Sequence, residues 1–471
     1  MDDLPARWTK ATLENCVDIL DSLRVPVNSS ERERRKGAIP YYGATGRVGW
    51  IDDFLFDEEL LLIGEDGAPF FDKSKPISYV IKGKSWVNNH AHVMKAVHGI
   101  TTNAFLKYYL NQFDFTGYVN GTTRLKLTQG SLRAIPVKIP PSTEQHRIVA
   151  KLEKLLAKVD ACKERLEKIP AILKRFRQSV LAAACSGRLT SEWRSKNADF
   201  EAAISDQSNK SVVPENSSPL PILPSGWSRF HLQDLCEVSR SLTYGVIKLG
   251  PSQNNGIPTL RSSDVRWLNV DVSNVKRIAQ NVANNYGRTF LNGGEVLVTV
   301  RGSLGGVAAV PEALKGFNIS REVAMVPVKS HIISKYVSFA IASNWSQTWL
   351  AEVSKGVAYT GINIRDLKRL PIPLPGISEQ QEIVRRVEAL FKMGDDIAKR
   401  YEKANAHVDK LTQSILAKAF RGELVPQDPN DEPASELLKR IHAEREKMAT
   451  EGNKAGRKKS KGREIRAGRT A

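Results

Sequence analysis

The chain has 471 residues, 41% of them hydrophobic, and a formal net charge of +19 at pH 7. This length is too great for one ordinary core, so roughly two to four globular domains are expected. The positive charge indicates a polyanionic partner, of which nucleic acid is the usual one, although a basic protein without such a partner stays open.

The chain does not resemble a membrane protein or a secreted one. No apolar run approaches the ~18 residues that a membrane span needs, and the acidic start "MDDLPARW" is unlike a signal peptide. The four cysteines are scattered and form no CxxC pair, which argues against zinc and predicts a reducing cytoplasm.

Residues 1–141 predict a first α+β domain. It opens with "LPARWTKATLEN" and contains short apolar runs bounded by glycine, such as "LLLIGEDG" from Leu60 to Gly67, which are typical of strands. Helical patches such as "TTNAFLKYYLNQF" interrupt these runs. We therefore expect a twisted sheet with irregular loops.

A helical region is predicted over residues 142–195. Ser142 and Thr143 precede an acid in the first turn, and the prolines before them prevent a backward extension. Pro170 should interrupt the helix because proline lacks an N–H, and Gly187 should end it. Apolar residues at alternating steps of four and three favour a coiled coil. This seam consists of Ile148, Leu152, Leu155, Val159, Cys162, Leu166, Ile169, Leu173, Phe176 and Val180.

Residues 196–222 are rich in Ser, Asn and Pro and predict a linker. A second α+β domain is expected over residues 223–377. It opens with "LPSGWSRFHLQD", in which Trp227 corresponds to Trp8, and it contains the apolar run "EVLVTVRGSLGG".

A second helical region is predicted over residues 378–448. It carries Asn405 at the place of Pro170, so it should run without interruption until Gly422. The tail over residues 449–471 is rich in Lys, Arg and Gly, and we expect it to be disordered and to contact phosphates non-specifically. The second seam consists of Ile383, Val387, Leu390, Gly394, Ile397, Tyr401, Ala404, Val408, Leu411 and Ile415.

The two halves repeat each other. "IPVKIPPSTEQHRIV" matches "LPIPLPGISEQQEIV" at an offset of 235 residues, and the same offset aligns "QSVLAAACSGRL" with "QSILAKAFRGEL". This period is too long for a solenoid and indicates a duplicated half-protein. Each apolar seam needs a second helix to pack against, and the simplest choice is the other copy in the same chain. Dimerisation with a second chain stays open as an alternative. At ~1.5 Å per residue the first seam spans about 50 Å and could serve as a spacer.

Catalytic motifs are largely missing. "AIPYY" lacks the Asn or Asp and the second proline with which an amino-methyltransferase grips a flipped base. "IKGKS" resembles the end of a phosphate loop, but Ser78 stands at the first glycine. His90 and His92 in "NNHAHV" could bind a metal, yet polar surface or a DNA-contacting loop is the stronger interpretation. We expect no metal site and no catalytic residue.

The phrases "PLPGISEQQEIV" and "QSILAKAFRGELVPQDPNDEPASELLKRIHAEREK" resemble the helical regions of the specificity subunit of type I restriction-modification enzymes. "PPSTEQHRIVAKLEKL" and "ILKRFRQSVLAAACSGRLTSEWR" resemble the central region of the same subunit. A generic coiled coil would not repeat both the Glu-Gln start and the Gly-x-Leu end. The segment "DEPASELLKRI" is most similar to the enterobacterial-type subfamily.

The resemblance implies a non-catalytic subunit with two α/β target recognition domains, joined by two long helices that form an antiparallel coiled coil in a pseudo-twofold internal repeat. Each domain would read one half of a bipartite, asymmetric target in double-stranded DNA. The helices would set the spacer and bind two methyltransferase subunits, which carry S-adenosylmethionine and methylate adenine. Restriction subunits using ATP and Mg would complete the assembly, and this chain would be required for both methylation and restriction.

Base-edge recognition needs polar side chains placed on loops by a rigid scaffold. For any one arginine a phosphate contact or a plain surface charge is an equal alternative, and for the threonines turn formation is the alternative. The candidate DNA-binding residues are Arg47, Asn88, Asn89, His90, Thr122, Thr123 and Arg124 in the first domain and Arg261, Ser262, Arg301, Ser303, Arg321, Tyr359, Thr360 and Asn363 in the second.

Polar residues on the helical regions are candidate contacts to the partner subunits. For those in the first turn of each helix, helix capping is the alternative. The candidates are Glu144, Gln145, Arg147, Glu379, Gln380, Arg385, Arg386 and Arg421.

Two other classes of function stay open at this point. A self-contained restriction and methylation enzyme would need a complete methyltransferase motif pair. A structural coiled-coil protein with incidental basic charge would bind no DNA sequence selectively.

Overall fold

The structure is a computed structural model that describes residues 4–73, 75–197, 222–354, 361–444 and 447. Most of the predicted linker, the predicted tail, and two candidate residues, Tyr359 and Thr360, lie outside the described residues. The chain forms two compact units. The first comprises the described residues up to Glu167 and those from Glu402 onward, and the second comprises Lys168–Tyr401.

The first unit is an α+β domain with long helical segments attached. Its elements in chain order are β1 (Thr9–Thr12), β2 (Val17–Ile19), α1 (Ser29–Arg34), β3 (Ile39–Gly43), β4 (Gly46–Ile51), β5 (Phe56–Asp57), β6 (Leu60–Gly64), β7 (Ser78–Ile81), β8 (Lys84–Val87), β9 (Ala91–Ala96), α2 (Asn103–Gln112), β10 (Val119–Asn120), β11 (Lys126–Leu127), α3 (Gln129–Arg133), β12 (Pro136–Ile139) and α4 (Ser142–Glu167). One sheet has the antiparallel order β2-β9-β6-β7, and the other has the order β4-β3-β8-β5 with a parallel β3–β8 pair. These sheets confirm the mixed α/β character expected from the apolar runs.

The second unit has the same kind of architecture. Its elements are α5 (Ile169–Cys185), α6 (Ser191–Lys196), β13 (Ser228–His231), β14 (Thr243–Tyr244), β15 (Ile257–Leu260), β16 (Val265–Arg266), β17 (Asn269–Val270), β18 (Lys276–Ile278), α7 (Gln280–Asn284), β19 (Val296–Thr299), β20 (Val307–Ala309), β21 (Asn318–Ile319), β22 (Val323–Val326), α8 (Ser334–Ala342), α9 (Asn344–Ser354), α10 (Ile364–Lys368), β23 (Pro371–Leu374) and the start of α11 (Ile377–Ala419). Its larger sheet has the antiparallel order β14-β22-β19-β20.

The strand topology is duplicated. The strand before each long helix pairs with the first strand of its domain, β12 with β1 and β23 with β13. A parallel pair recurs as β3–β8 and as β15–β21. In the four-stranded sheets Leu61 pairs with Met94, and Val296 pairs with Val326. Both pairs face the core that packs on the long helices, and they fix the correspondence between the units residue by residue.

The helices follow the sequence signals closely. The first region breaks between α4 and α5, where Pro170 occupies the first turn of the new helix. In contrast, α11 continues through Asn405. Gly187 and Gly422 follow the helix ends with φ of 72° and 77°, conformations that favour glycine over residues with a Cβ.

Within each unit the helical segments run antiparallel. In the first unit Glu144 contacts Gln427 while Lys163 pairs with Asp409 at 3.1 Å. The seam residues nearest the domains, such as Ile148, are buried, because they also pack on the domain cores. Cys162 is exposed, so the seam is tight at its domain end and looser along the helix.

The second unit repeats this arrangement. Arg177 pairs with Asp395 at 2.6 Å, while Thr190 bonds with Glu379 near the start of α11. Phe176 lies against Gly394, where a Cβ would lie 3.6 Å from the ring. The predicted segment boundaries do not follow these units, because residues 168–195 pack with the second domain and residues 402–444 with the first.

Candidate nucleic-acid interface

The polar residues of the first unit meet at one edge of its four-stranded sheet. The edge is formed where β6 ends, where β9 begins, and where the segment leading into β11 crosses them. Gly67 N donates to Leu125 O at 3.0 Å, and Leu127 N donates to Glu65 O at 2.7 Å. We call this the first recognition edge, comprising residues 64–67, 88–92 and 122–127.

The exposed layer of this edge contains a His, an Arg and an Asp. His90 Nδ1 lies 2.6 Å from Asp66 Oδ1, and Arg124 Nη2 lies 2.9 Å from the same oxygen. The Arg124 side chain remains 60% exposed. The structure thus brings together His90 and Arg124, which the sequence proposed separately, around a carboxylate that the sequence did not single out. Such a side chain can donate to a base edge or to a phosphate.

Beneath this layer lies a buried charge network. His92 Nδ1 lies 2.6 Å from Asp21 Oδ2, and Arg24 Nη1 lies 2.7 Å from Glu65 Oε2. Burial alone would raise the pKa of Asp21. The hydrogen bonds from His92 and from the Val93 N–H, with the nearby Arg24 charge, outweigh burial and bring this pKa below its usual value.

The same network bears on metal binding. The carboxylates of Asp21 and Glu65 and the ring of His92 lie within 4.8 Å of one another. However, Arg24 pairs with both carboxylates, and Lys126 Nζ lies 3.2 Å from Glu65. These cationic side chains already neutralise the carboxylates, so the group fits a structural ion network better than a cation site.

The second unit has a corresponding edge with different chemistry, comprising residues 262, 300–303, 320–322 and 361–363. Val300 N donates to Glu322 O, and Ile362 N donates to Val300 O, both at 2.8 Å. Ser262 Oγ donates to Glu322 Oε2 at 2.8 Å. We call this the second recognition edge. It brings together five of the candidates named from the sequence: Ser262, Arg301, Ser303, Arg321 and Asn363.

Arg301 is the prominent cation of the second recognition edge. It is exposed, and its guanidinium lies 5.9 Å from the Tyr244 ring. Within the described residues no carboxylate forms an ion pair with it, whereas Arg124 is paired with Asp66. An unpaired guanidinium next to an aromatic ring is suited to a nucleic-acid ligand.

The sequence model of the family described as "Type I restriction modification DNA specificity domain" matches residues 5–171 and 224–405, which together are more than half of the chain. The chain belongs to this family. Members of this family are the DNA-recognition subunits of type I restriction-modification systems, and this chain is accordingly a non-catalytic subunit.

Curated relatives agree with the family model. The EcoBI specificity subunit of Escherichia coli is 40% identical over 342 residues, which cover 71% of this chain and 69% of the relative. The EcoDI specificity subunit of Escherichia coli is 30% identical over 467 residues, covering 97% and 99%. The EcoKI specificity subunit of Escherichia coli K12 is 34% identical, covering 76% and 73%. The enterobacterial resemblance is therefore confirmed.

Two solved structures share the fold. The HsdS subunit from Thermoanaerobacter tengcongensis aligns with a TM-score of 0.52 at 18% identity, covering 89% of this chain and 98% of that one. A chain from a structural study of complex assembly and conformational transition of the type I restriction-modification system aligns with a TM-score of 0.55 at 16% identity, covering 89% and 99%. No helix in the described part of the specificity subunit is long and apolar enough to cross a membrane.

Several candidate DNA-binding residues have structural contacts of their own. The Arg261 guanidinium binds Asp264 at 3.1 Å and donates to Asn274 O, so it braces its own loop. Asn88 is buried, and its side chain accepts from the His90 N–H at 2.8 Å. Ser262 is also buried and bonded to Glu322. These three residues support the edges from within, and a direct base contact by them stays a prediction.

The other candidates lie on exposed surface. Asn89, Thr122 and Thr123 are exposed on loops of the first recognition edge. Arg47 lies on β4, with its guanidinium 4.5 Å from the Trp50 ring. It pairs with Tyr42, whose carbonyl accepts from the Asn88 N–H of the first recognition edge. A DNA contact by Arg47 stays a prediction.

A basic and aromatic surface around Arg47 was missed by the sequence reasoning. Arg32 lies 4.9 Å from the Tyr41 ring, Arg35 lies 4.6 Å from the Trp86 ring, and Lys84 lies 4.6 Å from the Phe54 ring. The run "ERERRKG" over residues 31–37 was the available signal.

The structure argues against a partner contact by the Glu-Gln pair at the start of the first long helix. Glu144 accepts from Trp8 Nε1 at 3.1 Å and from Gln427 at 2.6 Å, and Gln145 donates to Ile100 O at 2.8 Å. Burial raises the pKa of Glu144, and these hydrogen bonds oppose the rise. Both side chains are buried, so a partner could not reach them without opening the unit.

The Glu-Gln pair at the start of the second long helix is buried in the same way. Glu379 accepts from Trp227 Nε1 at 2.8 Å, from Thr190 at 2.7 Å and from Arg194 at 2.9 Å. Gln380 is fully buried and accepts from Ile333 N at 2.9 Å. The repeated Glu-Gln pair therefore fixes the start of each long helix to its own domain. In both copies a Trp indole N–H donates a hydrogen bond to the Glu carboxylate.

The four candidate arginines for partner contacts divide into two kinds. Arg147 binds Asp431 at 2.6 Å and Arg386 donates to Leu189 O at 2.8 Å, so both tie their own unit together. Arg385 and Arg421 are exposed and pair with nearby Glu382 and Glu423. These last two remain the better candidates for a partner surface.

Proposed function

We propose that this chain determines the DNA sequence specificity of a type I restriction-modification complex by reading a bipartite, asymmetric target. Each recognition domain reads one half of the target in double-stranded DNA. The helices set the gap between the half-sites and bind two methyltransferase subunits. Adenine methylation and restriction then both depend on this chain.

One observation carries this proposal. The same sheet topology occurs twice, and the corresponding edges carry different polar groups. The matching backbone bonds from Leu127 N to Glu65 O and from Ile362 N to Val300 O place Arg301 at the position of Asp66. Two edges with different donors and acceptors would read two different base sequences, which makes the target asymmetric.

The chemistry of methylation and cleavage would come from partner subunits. S-adenosylmethionine would be held by the methyltransferase subunits, and ATP and Mg would act on the restriction and translocase subunits. The four cysteines of this chain are free, which suits a reducing cytoplasm. The net charge of +19 supports binding of the chain to the phosphate backbone.

The test is to co-express the chain with its methyltransferase subunit and to map methylated adenines across the host genome. We expect a two-part motif with a fixed gap that disappears when this chain is omitted. Methylation at a continuous motif, or methylation that persists without this chain, would contradict the proposal.

A further inference from the structure

The inference concerns a buried histidine in the first recognition edge. His92 lies in β9, its side chain is 1% exposed, and it sits between the turn at Asp21–Leu23 and the segment that carries Arg124. Its neighbour His90 belongs to the exposed layer, but His92 touches no solvent. Its role is therefore to be sought in its internal contacts.

Both ring nitrogens of His92 face acceptor oxygens. Nδ1 lies 2.6 Å from Asp21 Oδ2, and Nε2 lies 2.8 Å from Leu127 O. A carboxylate and a carbonyl can only accept, so each contact is a hydrogen bond only when the ring nitrogen carries a proton. The ring therefore bridges the two oxygens, with Nε2 as the donor to the Leu127 carbonyl.

The surrounding charges are arranged to hold this ring in place. Asp21 Oδ1 accepts from Val93 N at 2.8 Å, and Asp21 Oδ2 lies 3.4 Å from Arg24 and 3.1 Å from Gln129 Nε2. Glu65 lies 3.8 Å from His92 Nδ1 and is itself paired with Arg24 and Lys126. Asp21 is thus bonded from several sides, and its position fixes the orientation of the ring.

The other end of the bridge is the recognition segment itself. Leu127 is buried, its N–H donates to Glu65 O, and its carbonyl accepts from His92. Arg124 precedes it by three residues and reaches Asp66. A shift of the Leu127 carbonyl would therefore move the backbone from which the exposed guanidinium extends.

The second unit does not have this device. Counting from Leu61 and Val296 places Ala324 at the position of His92. Its pairing partner Tyr244 stands at the position of Asp21. An alanine side chain has no donor, so it cannot bridge two oxygens. The bridge is a property of the first recognition edge, and its loss should affect one half-site only.

We propose that His92 is a positioning residue for DNA recognition, whose Nε2–H bond to the Leu127 carbonyl sets the placement of the Arg124 segment and so the base discrimination of the first recognition domain. This inference rests on the proposed function. It adds a specificity-determining residue that is buried and touches no DNA.

The test separates the two ring nitrogens. In His92→Gln the amide nitrogen can take the place of Nε2 and keep the bond to Leu127, whereas in His92→Asn it can take the place of Nδ1 and keep only the bond to Asp21. Met94→Val is the matched control, because Met94 is buried on the same strand and pairs in the same sheet without polar contacts. Each variant is co-expressed with the methyltransferase subunit, and genomic adenine methylation is mapped.

We expect His92→Asn to increase methylation at sites with one mismatch in one half of the motif by about tenfold, and to leave the other half unchanged. His92→Gln should stay near the wild type, and Met94→Val should change stability but not discrimination. If His92→Asn does not assemble, Asp21→Asn decides the matter, since it should produce the same one-sided relaxation more weakly.

Relaxation of both halves, a uniform loss like that of Met94→Val, or no change would overturn the positioning role. A wild-type chain that yields no two-part motif would instead overturn the proposed function. The two failures are therefore distinguishable in one data set.

Discussion

The first and second recognition edges occupy the same place on the same sheet but differ in charge. At the first, Asp66 forms an ion pair with Arg124 and contacts His90, and Glu65 forms an ion pair with Lys126. At the second, Arg301 is exposed beside Tyr244 and has no carboxylate partner among the described residues. The supporting frame is repeated while the polar edge is not.

The two halves of the chain need the same residues only where those residues hold the same structural contact. The indole-to-carboxylate contact recurs as Trp8–Glu144 and Trp227–Glu379, because each helix has to be fixed to its domain in the same way. The edges carry no such requirement. Their side chains can differ as long as the strands beneath them stay apolar, as at Leu61 and Val296.

The largest expected effect concerns the two helix anchors. Glu379→Ala should lower the free energy of unfolding by about 3–5 kcal/mol, because it leaves the Arg194 cation without its buried partner. Glu144→Ala should cost about 1–3 kcal/mol, since its donors, Trp8 and Gln427, are neutral. Thermal and denaturant unfolding would measure both. Equal losses would show that the anchors are energetically the same.

The next effect separates the two edges. Arg301→Ala should cost about 1–3 kcal/mol in discrimination at one base position of its half-site. Arg124→Ala should relax the other half-site by less within the same range, because Asp66 already neutralises Arg124. Binding of the complex to duplexes with single base changes would measure this. A loss that is uniform across sequences would make either residue a phosphate contact.

A smaller effect depends on pH and belongs to the first unit. The Arg147 hydrogen bond holds the pKa of Asp431 below its usual value of 3.8, although burial opposes this. The contribution of this pair is therefore complete above that value and is lost as the pH falls through the lowered pKa. Asp431→Asn should cost about 1–2 kcal/mol at neutral pH, and its difference from the wild type should shrink only as the pH falls below 3.8 and through the lowered pKa. A difference that persists in acid would contradict this account.

The smallest effect on stability is expected at an exposed pair. Arg385 binds Glu382, and this contact holds the pKa of Glu382 at about 2. Arg385→Ala should leave the melting temperature unchanged, because exposed ion pairs contribute little. If Arg385 belongs to a partner surface, the same variant should weaken assembly with the methyltransferase subunit in a titration. Unchanged assembly would remove Arg385 from the candidates.

Much of the frame could be predicted from the sequence because its signals are local. Pro170 breaks a helix wherever it stands, and glycine stops such as Gly187 need only a positive φ. The predicted seam residues near the domains are buried, whereas Cys162 is exposed. A heptad pattern does not indicate how tightly two helices pack. The grouping of residues 168–195 with the second domain could not be read from chain order.

The candidate site was only partly predictable. Arg124 and His90 were named as separate polar residues, but their meeting at Asp66 depends on strands that are distant in the chain. Arg261 looked like a DNA contact and is occupied by Asp264 three residues later. Residue type suggested a role in both cases, and the neighbours decided it.

Repeated phrases in the sequence were enough to show that the protein is a duplication and to identify its family. The positions where its long helices start, break and end could also be predicted, because proline and glycine act through short-range sterics. The folded structure was needed to show that Glu144 and Glu379 are buried anchors. It was also needed to show that Arg7 reaches the carbonyl of Asp431, far away in sequence, and that His92 bridges Asp21 and Leu127. These contacts join residues far apart in sequence, and their chemistry depends on burial, which no local pattern encodes.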